Sequence, residues 1–439
     1  MIDPKSVHEV LGRHQLADGY PFVVDLEHSK GVHLRDGVSG EDFVDCFTSF
    51  ASWPIGYSHP MMEDAAFQKD LQLAALTNLA NSDLYTTQMA DFVEAFSTRV
   101  TPEDYPYHFW VQGGALAVEN TLKTAFDWKA RKLGIDQVDD GKHLAILHFK
   151  GAFHGRSGYT MSLTNTDPNK VALFPKFDWP RVSTPAVEVD TDGHISNDIE
   201  ALEKQCLEEI DAAFECYAGR IAGIIIEPMQ GEGGDNHFRP EFLAALRRIA
   251  DEREALLIFD EVQTGFFGSG KPWMWQIHGV APDLVAFGKK TQVCGIYSNR
   301  RVDEVEDNVF HKSSRINSTW GGNLVDMVRC KRFIEIVEEQ RLDENISARG
   351  CQFVAGLRQV AKERGHLQNV RGFGSLVAFT LESPAARDAM LRTMMEKRVL
   401  ALPSGERAIR FRLPLIISEA EVDHVVARVA DSLPSGSPA

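Results

Sequence analysis

The chain has 439 residues, 44% of them apolar and 25% charged, an ordinary globular composition with room for a large core. Its formal charge of -17 argues against nucleic acid or an acidic membrane as a partner, and no uncharged apolar run is long enough to cross a bilayer. The six cysteines are scattered without CxxC spacing, which argues against a disulfide framework or a cysteine-based zinc site, and the opening MIDPKSVHEV lacks the charged-then-apolar pattern of a signal peptide, so the chain is expected in the cytoplasm.

VHEVLGRHQ, starting at Val7, predicts a short amphipathic helix, and Phe22–Asp25 with Gly31–Leu34 predicts a small hairpin. Residues 1–60 are expected to form part of a small lobe. Asp45–Ser52 and Gly56–Pro60, rich in small residues and aromatics, are expected to be loops. Phe109–Val111 follows as a strand, and Gly113-Gly114-Ala115 opens a helix running to about Arg131. Glycines at such a turn expose backbone N–H groups, and the first helical turn adds unpaired donors, a combination that attracts phosphate. The strand Leu144–Phe149 leads to Gly151-Ala152-Phe153-His154-Gly155-Arg156. A polar region follows, about Pro185 to Gly219, with a charged helix near Ile199–Phe214. The buried strand Ile221–Ile226 then ends in Glu227-Pro228-Met229-Gln230-Gly231-Glu232-Gly233-Gly234, two carboxylates in a glycine-rich loop, and a helix from Pro240 to about Glu254 returns the chain.

The segment Ala255–Lys290 organises the rest. Leu256–Phe259 is an apolar run without alternation, the pattern of a parallel strand buried on both faces, and Asp260 follows at its carboxyl end. Leu284–Phe287 ends the same way, and Gly288 delivers Lys289. Ligands of open α/β sheets sit beyond the carboxyl ends of the strands, so a carboxylate and an amine face one site. Pyridoxal phosphate chemistry needs that pair: a lysine to bond the cofactor's carbonyl carbon, and an acid to keep the pyridine nitrogen protonated. A dinucleotide-dependent oxidoreductase on a similar sheet is the rival from another class, but no GxGxxG follows a strand with an acid downstream.

Asp260-Glu261-Val262-Gln263 with Asp283–Lys289 resembles the lysine signature of the class III, or ω-type, aminotransferases of pyridoxal phosphate fold type I. The resemblance implies an α/β fold with a large, mostly parallel seven-stranded sheet in residues 61–323, and a smaller α+β domain in residues 324–439. In that smaller domain helices give way to a strand at Ser375–Leu381, a helix at Pro384–Lys397 and a terminal helix after Glu419, with a disordered tail from Pro434. By the same resemblance Lys289, rather than Lys290, carries the cofactor and moves the proton, and Asp260 meets the ring nitrogen. Gly114 and Ala115 cradle the phosphate, Phe153 and Val262 sandwich the ring, Gln263 bonds the ring's O3′, and Glu227 lies in the cofactor site. Thr319, in the loop Ser313–Asn323, reaches the phosphate across a homodimer interface, and Asn317 of that loop contacts substrate. No metal is implied.

Arginine suits carboxylate recognition because its planar fork offers two parallel hydrogen bonds. In Ile409-Arg410-Phe411-Arg412 a strand turns both arginines to one face. The family pattern gives Arg410 to the α-carboxylate of the oxo-acid and Arg156 to a carboxylate further out. An amine donor presenting a terminal CH2–NH2 leaves Arg410 bare, and Glu232 is the expected counter-ion, pairing during the amine half-reaction and swinging aside for the oxo-acid. The alternative is a permanent pair of Glu232 with Arg410 or Arg412. Segments such as GAFHGRSGYTMSLTN, FPKFDWPR and FGKKTQVCG are similar to the bacterial subfamily acting on the ε-amine of lysine, which implies L-lysine and 2-oxoglutarate as substrates. Leu413-Pro414 and Ile296–Asn299 depart from that pattern without touching an assigned group. Ornithine, acetylornithine and 4-aminobutyrate aminotransferases of the same class share nearly every residue named.

Overall fold

The computed structural model describes residues 2–135 and 144–434; most of the expected disordered tail, residues 435–439, lies outside them. Seven strands form the principal sheet, in the order Tyr107–Val111, Cys294–Ser298, Leu284–Phe287, Leu256–Asp260, Ile221–Ile226, Ala145–Phe149, Arg181–Val182. Cys294–Ser298 runs antiparallel to both its neighbours, and every other pairing is parallel. This is the large, mostly parallel seven-stranded sheet that the resemblance implies.

The central strands are buried on both faces, as their unbroken apolar runs predict. Leu256 and Ile258 pack with Val118, Leu122 and Trp128 of the helix Gly114–Lys132, whereas Leu257 and Phe259 pack on the opposite face with Phe214, Phe242 and Leu246. Each such fully buried side chain contributes roughly 1.5–3 kcal/mol, so the sheet is a rigid floor for what its edge carries. The parallel register sets Ala286 beside Asp260. Lys289 follows in the connection to the antiparallel strand, so acid and amine leave the sheet at one edge.

The C-terminal region adds the helices Leu324–Glu339, Leu342–Arg364, Pro384–Glu396 and Glu419–Asp431, the last opened by a Ser418–Glu421 capping box. They pack around an antiparallel sheet ordered Gln368–Phe373, Leu376–Thr380, Ala408–Arg412, Leu402–Ser404. The N-terminal strand Asp42–Asp45 pairs in parallel with Val399–Leu400. One apolar core runs from Val32 and Val44 through Phe287 and Phe333 to Phe411 and Val429, joining the two ends of the chain to the edge of the main sheet.

The N-terminal hairpin differs from expectation. His33–Arg35 pairs with Asp42–Asp45, and Phe22–Asp25 makes only the single bridge Val24–Asp36. The cause is Asp25, whose carboxylate accepts from the backbone N–H of Glu27 and His28 and turns the chain before a ladder can form. The charged helix at Ile199 is longer than its pattern predicted and ends at Tyr217.

Candidate active site

At the carboxyl ends of the central strands lies a cavity of about 290 Å3, lined by Gly114, Ala115, Phe153, His154, Arg156, Glu227, Glu232, Asp260, Val262, Gln263 and Lys289. Asp260 is the last residue of its strand and 4% exposed. Its Oδ2 is 2.8 Å from His154 Nδ1, and its Oδ1 accepts from Val262 N at 3.0 Å. His154 thus orients the carboxylate, while its Nε2 is buried without a partner among the described residues.

Lys289 sits in left-handed backbone, φ 55°, an uncommon conformation for a side-chain-bearing residue. Gln292, also at positive φ, holds that turn: its Nε2 donates to Lys289 O at 3.1 Å and to Ser52 O at 2.6 Å, tying it to the segment Asp45–Ser52. Burial and the nearby Arg410 and Arg412 guanidiniums lower the Lys289 amine to about 8, against the opposing pull of Asp260 and Glu227. Lys290 faces away from the cavity, where its ammonium donates to Gln263 O at 2.6 Å and Gly265 O at 3.0 Å. It braces the segment that carries Val262 and Gln263 and does not line the cavity.

Glu227 joins two loops, accepting from Phe153 N and Gly231 N at 3.0 Å each, and burial raises its carboxyl to about 7. Gln263 is fixed by both arginines of the Ala408–Arg412 strand, its Oε1 accepting from Arg410 Nη1 at 3.0 Å and Arg412 Nη2 at 2.6 Å. The period-2 expectation therefore holds: both arginines project to one face, with Ile409 and Phe411 in the core on the other. Arg412 further makes a fully buried pair with Asp235, at 2.6 and 2.8 Å. Burial and Arg412 lower Arg410 to about 10, and its Nε has no partner among the described residues.

Glu232 does not form the permanent arginine pair that was the alternative expectation. It pairs with neither Arg410 nor Arg412 here: its Oε1 accepts from Lys170 Nζ and, at 2.8 Å, from Thr166 Oγ1. Arg410 instead donates to Gln263, and Arg412 pairs with Asp235. Arg156 stands at the rim, exposed and without an ion pair among the described residues.

Thr319 and Asn317 are not brought to this cavity. Both are exposed on the Ser313–Asn323 loop, which is anchored to another stretch by Asn81 N to Trp320 O at 3.2 Å and Asn81 Nδ2 to Gly322 O at 3.1 Å. Sequence reasoning missed Asp235, Lys170 and Thr166. Asp235 directly follows the glycine-rich loop, a signal that could have drawn notice; Lys170 and Thr166 lie in an undistinguished polar stretch.

The cavity fits pyridoxal phosphate on its own geometry. The 19-residue helix Gly114–Lys132 begins at Gly113 with no side-chain cap, so its first N–H groups are free for an anion. A Cβ on Gly114 would lie 2.7 Å from Val262 Cγ1, so only glycine lets the helix start approach the residue assigned to one face of the ring. Lys289 and the oriented Asp260 supply the remaining two contacts.

A buried acid and a lysine at the carboxyl ends of adjacent strands of this sheet define a pyridoxal phosphate enzyme of fold type I. Residues 16–433 match the family model described as aminotransferase class-III, and the chain belongs to that family. It is 48% identical over 433 residues to an L-lysine-epsilon aminotransferase of Mycobacterium tuberculosis, covering 98% of this chain and 96% of the relative. A solved structure described as lysine aminotransferase from M. tuberculosis in the internal aldimine form superposes with TM-score 0.95 at 48% identity, covering 99% of each chain. A 4-aminobutyrate aminotransferase of Dictyostelium discoideum is more distant, 30% identical over 97% of this chain and 88% of the relative.

Proposed function

We propose that the protein transfers the ε-amino group of L-lysine to 2-oxoglutarate, giving L-glutamate and 2-aminoadipate 6-semialdehyde, which cyclises to piperideine-6-carboxylate. The observation that carries this reading is near-complete alignment at 48% identity with a lysine-epsilon aminotransferase, against 30% for a 4-aminobutyrate enzyme.

Bound pyridoxal phosphate supplies a carbonyl to capture the amine and an electron-withdrawing ring to stabilise the charge left when a proton departs. Lys289 Nζ takes that proton from the amine-bearing carbon of the substrate and returns it one position along; an amine lowered to about 8 is partly neutral near physiological pH, as a base must be. Asp260, oriented by His154, would accept a charge-assisted hydrogen bond from the ring nitrogen. The free N–H groups of Gly114 and Ala115 hold the phosphate. Phe153 and Val262 restrain the ring plane, Glu227 fixes the Phe153 loop, and the amide NH2 of Gln263 is left to donate to O3′ because its oxygen is held by the arginines.

Arg410 receives the α-carboxylate of 2-oxoglutarate. Arg156 receives the distal carboxylate of the oxo-acid, or the α-carboxylate of lysine when the ε-amine is at the centre. Glu232 covers Arg410 in the amine half-reaction and turns aside for the oxo-acid, a reading that its pairing with Lys170 supports.

The working unit is a homodimer in the cytoplasm, in which Thr319 serves the neighbouring protomer's phosphate and Asn317 its substrate. Exposed Phe50, Leu84, Tyr85 and Trp320 support a covered face there. Among the described residues no helix is long and apolar enough to cross a membrane. Residues 1–60 belong to the small lobe, 61–323 to the cofactor domain and 324–439 to the C-terminal domain, a division supported by the pairing of Asp42–Asp45 with Val399–Leu400.

Glutamate formation from 2-oxoglutarate, compared across lysine, ornithine, acetylornithine and 4-aminobutyrate, tests the reading. Lysine is expected to give the highest kcat/KM; a clear lead for another donor overturns it.

A further inference from the structure

We propose that Lys170 is the second docking position of Glu232, a positioning residue whose ion pair keeps Arg410 free for the oxo-acid. This rests on the reading of the site as a lysine ε-aminotransferase and adds a residue to it.

The Glu232 backbone is not free to travel. Its carbonyl accepts from Gly405 N at 2.8 Å, and Gly231 N is held by Glu227 at 3.0 Å, so motion is confined to side-chain torsions. At one end of that swing stands Arg410, near enough to feel the Glu232 charge and with a buried Nε that has no partner among the described residues. At the other stand Lys170 and Thr166, both already bonded to Glu232 Oε1. The short helix Pro168–Val171, capped by Asp167, fixes Lys170, and its ammonium lies 5.8 Å from the centre of the Phe153 ring at the cavity mouth.

A carboxylate leaving Arg410 for water would exchange one paired state for a solvated one. Leaving it for Lys170 exchanges a pair for a pair, and the two positions come closer in free energy. The Lys170 and Glu232 side chains remain 33% and 23% exposed, so the pair is weak enough to break in each catalytic cycle. Lys170 therefore sets how the enzyme divides its affinity between its two substrates.

Steady-state kinetics with both substrates varied, on wild type, Lys170→Met and Lys170→Arg, each also combined with Glu232→Gln, tests the proposal. Without its second position Glu232 returns to Arg410, so Lys170→Met is expected to raise KM for 2-oxoglutarate about three- to fivefold, the scale of a partly exposed ion pair. KM for lysine is expected to stay level or fall, Lys170→Arg to restore the wild-type balance, and Lys170→Met to have no effect beside Glu232→Gln. Parallel changes in both KM values, no change in either, or an effect that persists beside Glu232→Gln would overturn it. A wild-type enzyme that makes no glutamate from lysine and 2-oxoglutarate would instead refute the underlying function.

Discussion

Asp260 and His154 form a pair at 2.8 Å with side-chain exposures of 5% and 0%, so the carboxylate has one orientation and no water to help it hold another. A hydrogen bond to a charged group contributes about 1.5–3 kcal/mol. His154→Ala is therefore expected to weaken pyridoxal phosphate binding about tenfold or more, read by titrating cofactor into the apo-protein, while circular dichroism shows the fold retained. Unchanged binding would mean that His154 has no part in placing the acid.

Lys289 is expected to react with acetic anhydride in the apo-protein with a midpoint near pH 8, followed peptide by peptide by mass spectrometry. Exposed lysines react with midpoints near the ordinary value of about 10.4. The sign follows from burial and the two guanidiniums, which both disfavour the ammonium form, so Arg410→Met should move the midpoint upwards. A midpoint at the ordinary lysine value would contradict the electrostatics described.

Glu232→Ala removes the cover from Arg410. The amine half-reaction then meets a bare cation, and KM for lysine should rise severalfold while KM for 2-oxoglutarate does not. The variant should also turn over α-amino donors such as glutamate more readily than wild type. Equal losses with both substrates would assign Glu232 to general packing instead.

Arg412 and Asp235 are both fully shielded, and removing one partner of such a pair costs about 3–5 kcal/mol by leaving the other charge uncompensated. Asp235→Ala should lower the denaturant midpoint accordingly. Because Arg412 also holds Gln263 at 2.6 Å, cofactor affinity should fall with it.

How much of this was legible in the sequence differed with the kind of interaction. Leu256–Asp260 and Leu284–Phe287 were readable because a strand buried on both faces has no polar alternation to obscure it, and the residue at its end inherits a known position. The shared face of Arg410 and Arg412 follows from strand periodicity alone. The strand Gln368–Phe373 carried no such mark: its apolar residues are few, and the buried Arg371 is held by acceptors distant in sequence, Asp235 O at 2.8 Å and Gly234 O among them. The partner of Glu232 was equally hidden. Lys170 is 62 residues away in sequence, and competition among three cations for one carboxylate is settled by packing.

The central claim, that Lys289 bonds the cofactor opposite Asp260, is tested most directly by borohydride reduction of the holo-protein followed by peptide mass mapping. The cofactor mass is expected on Lys289 alone, and the Lys289→Ala variant should carry no cofactor mass and form no glutamate. Label on Lys290 or another lysine, or turnover that survives Lys289→Ala, would contradict the account.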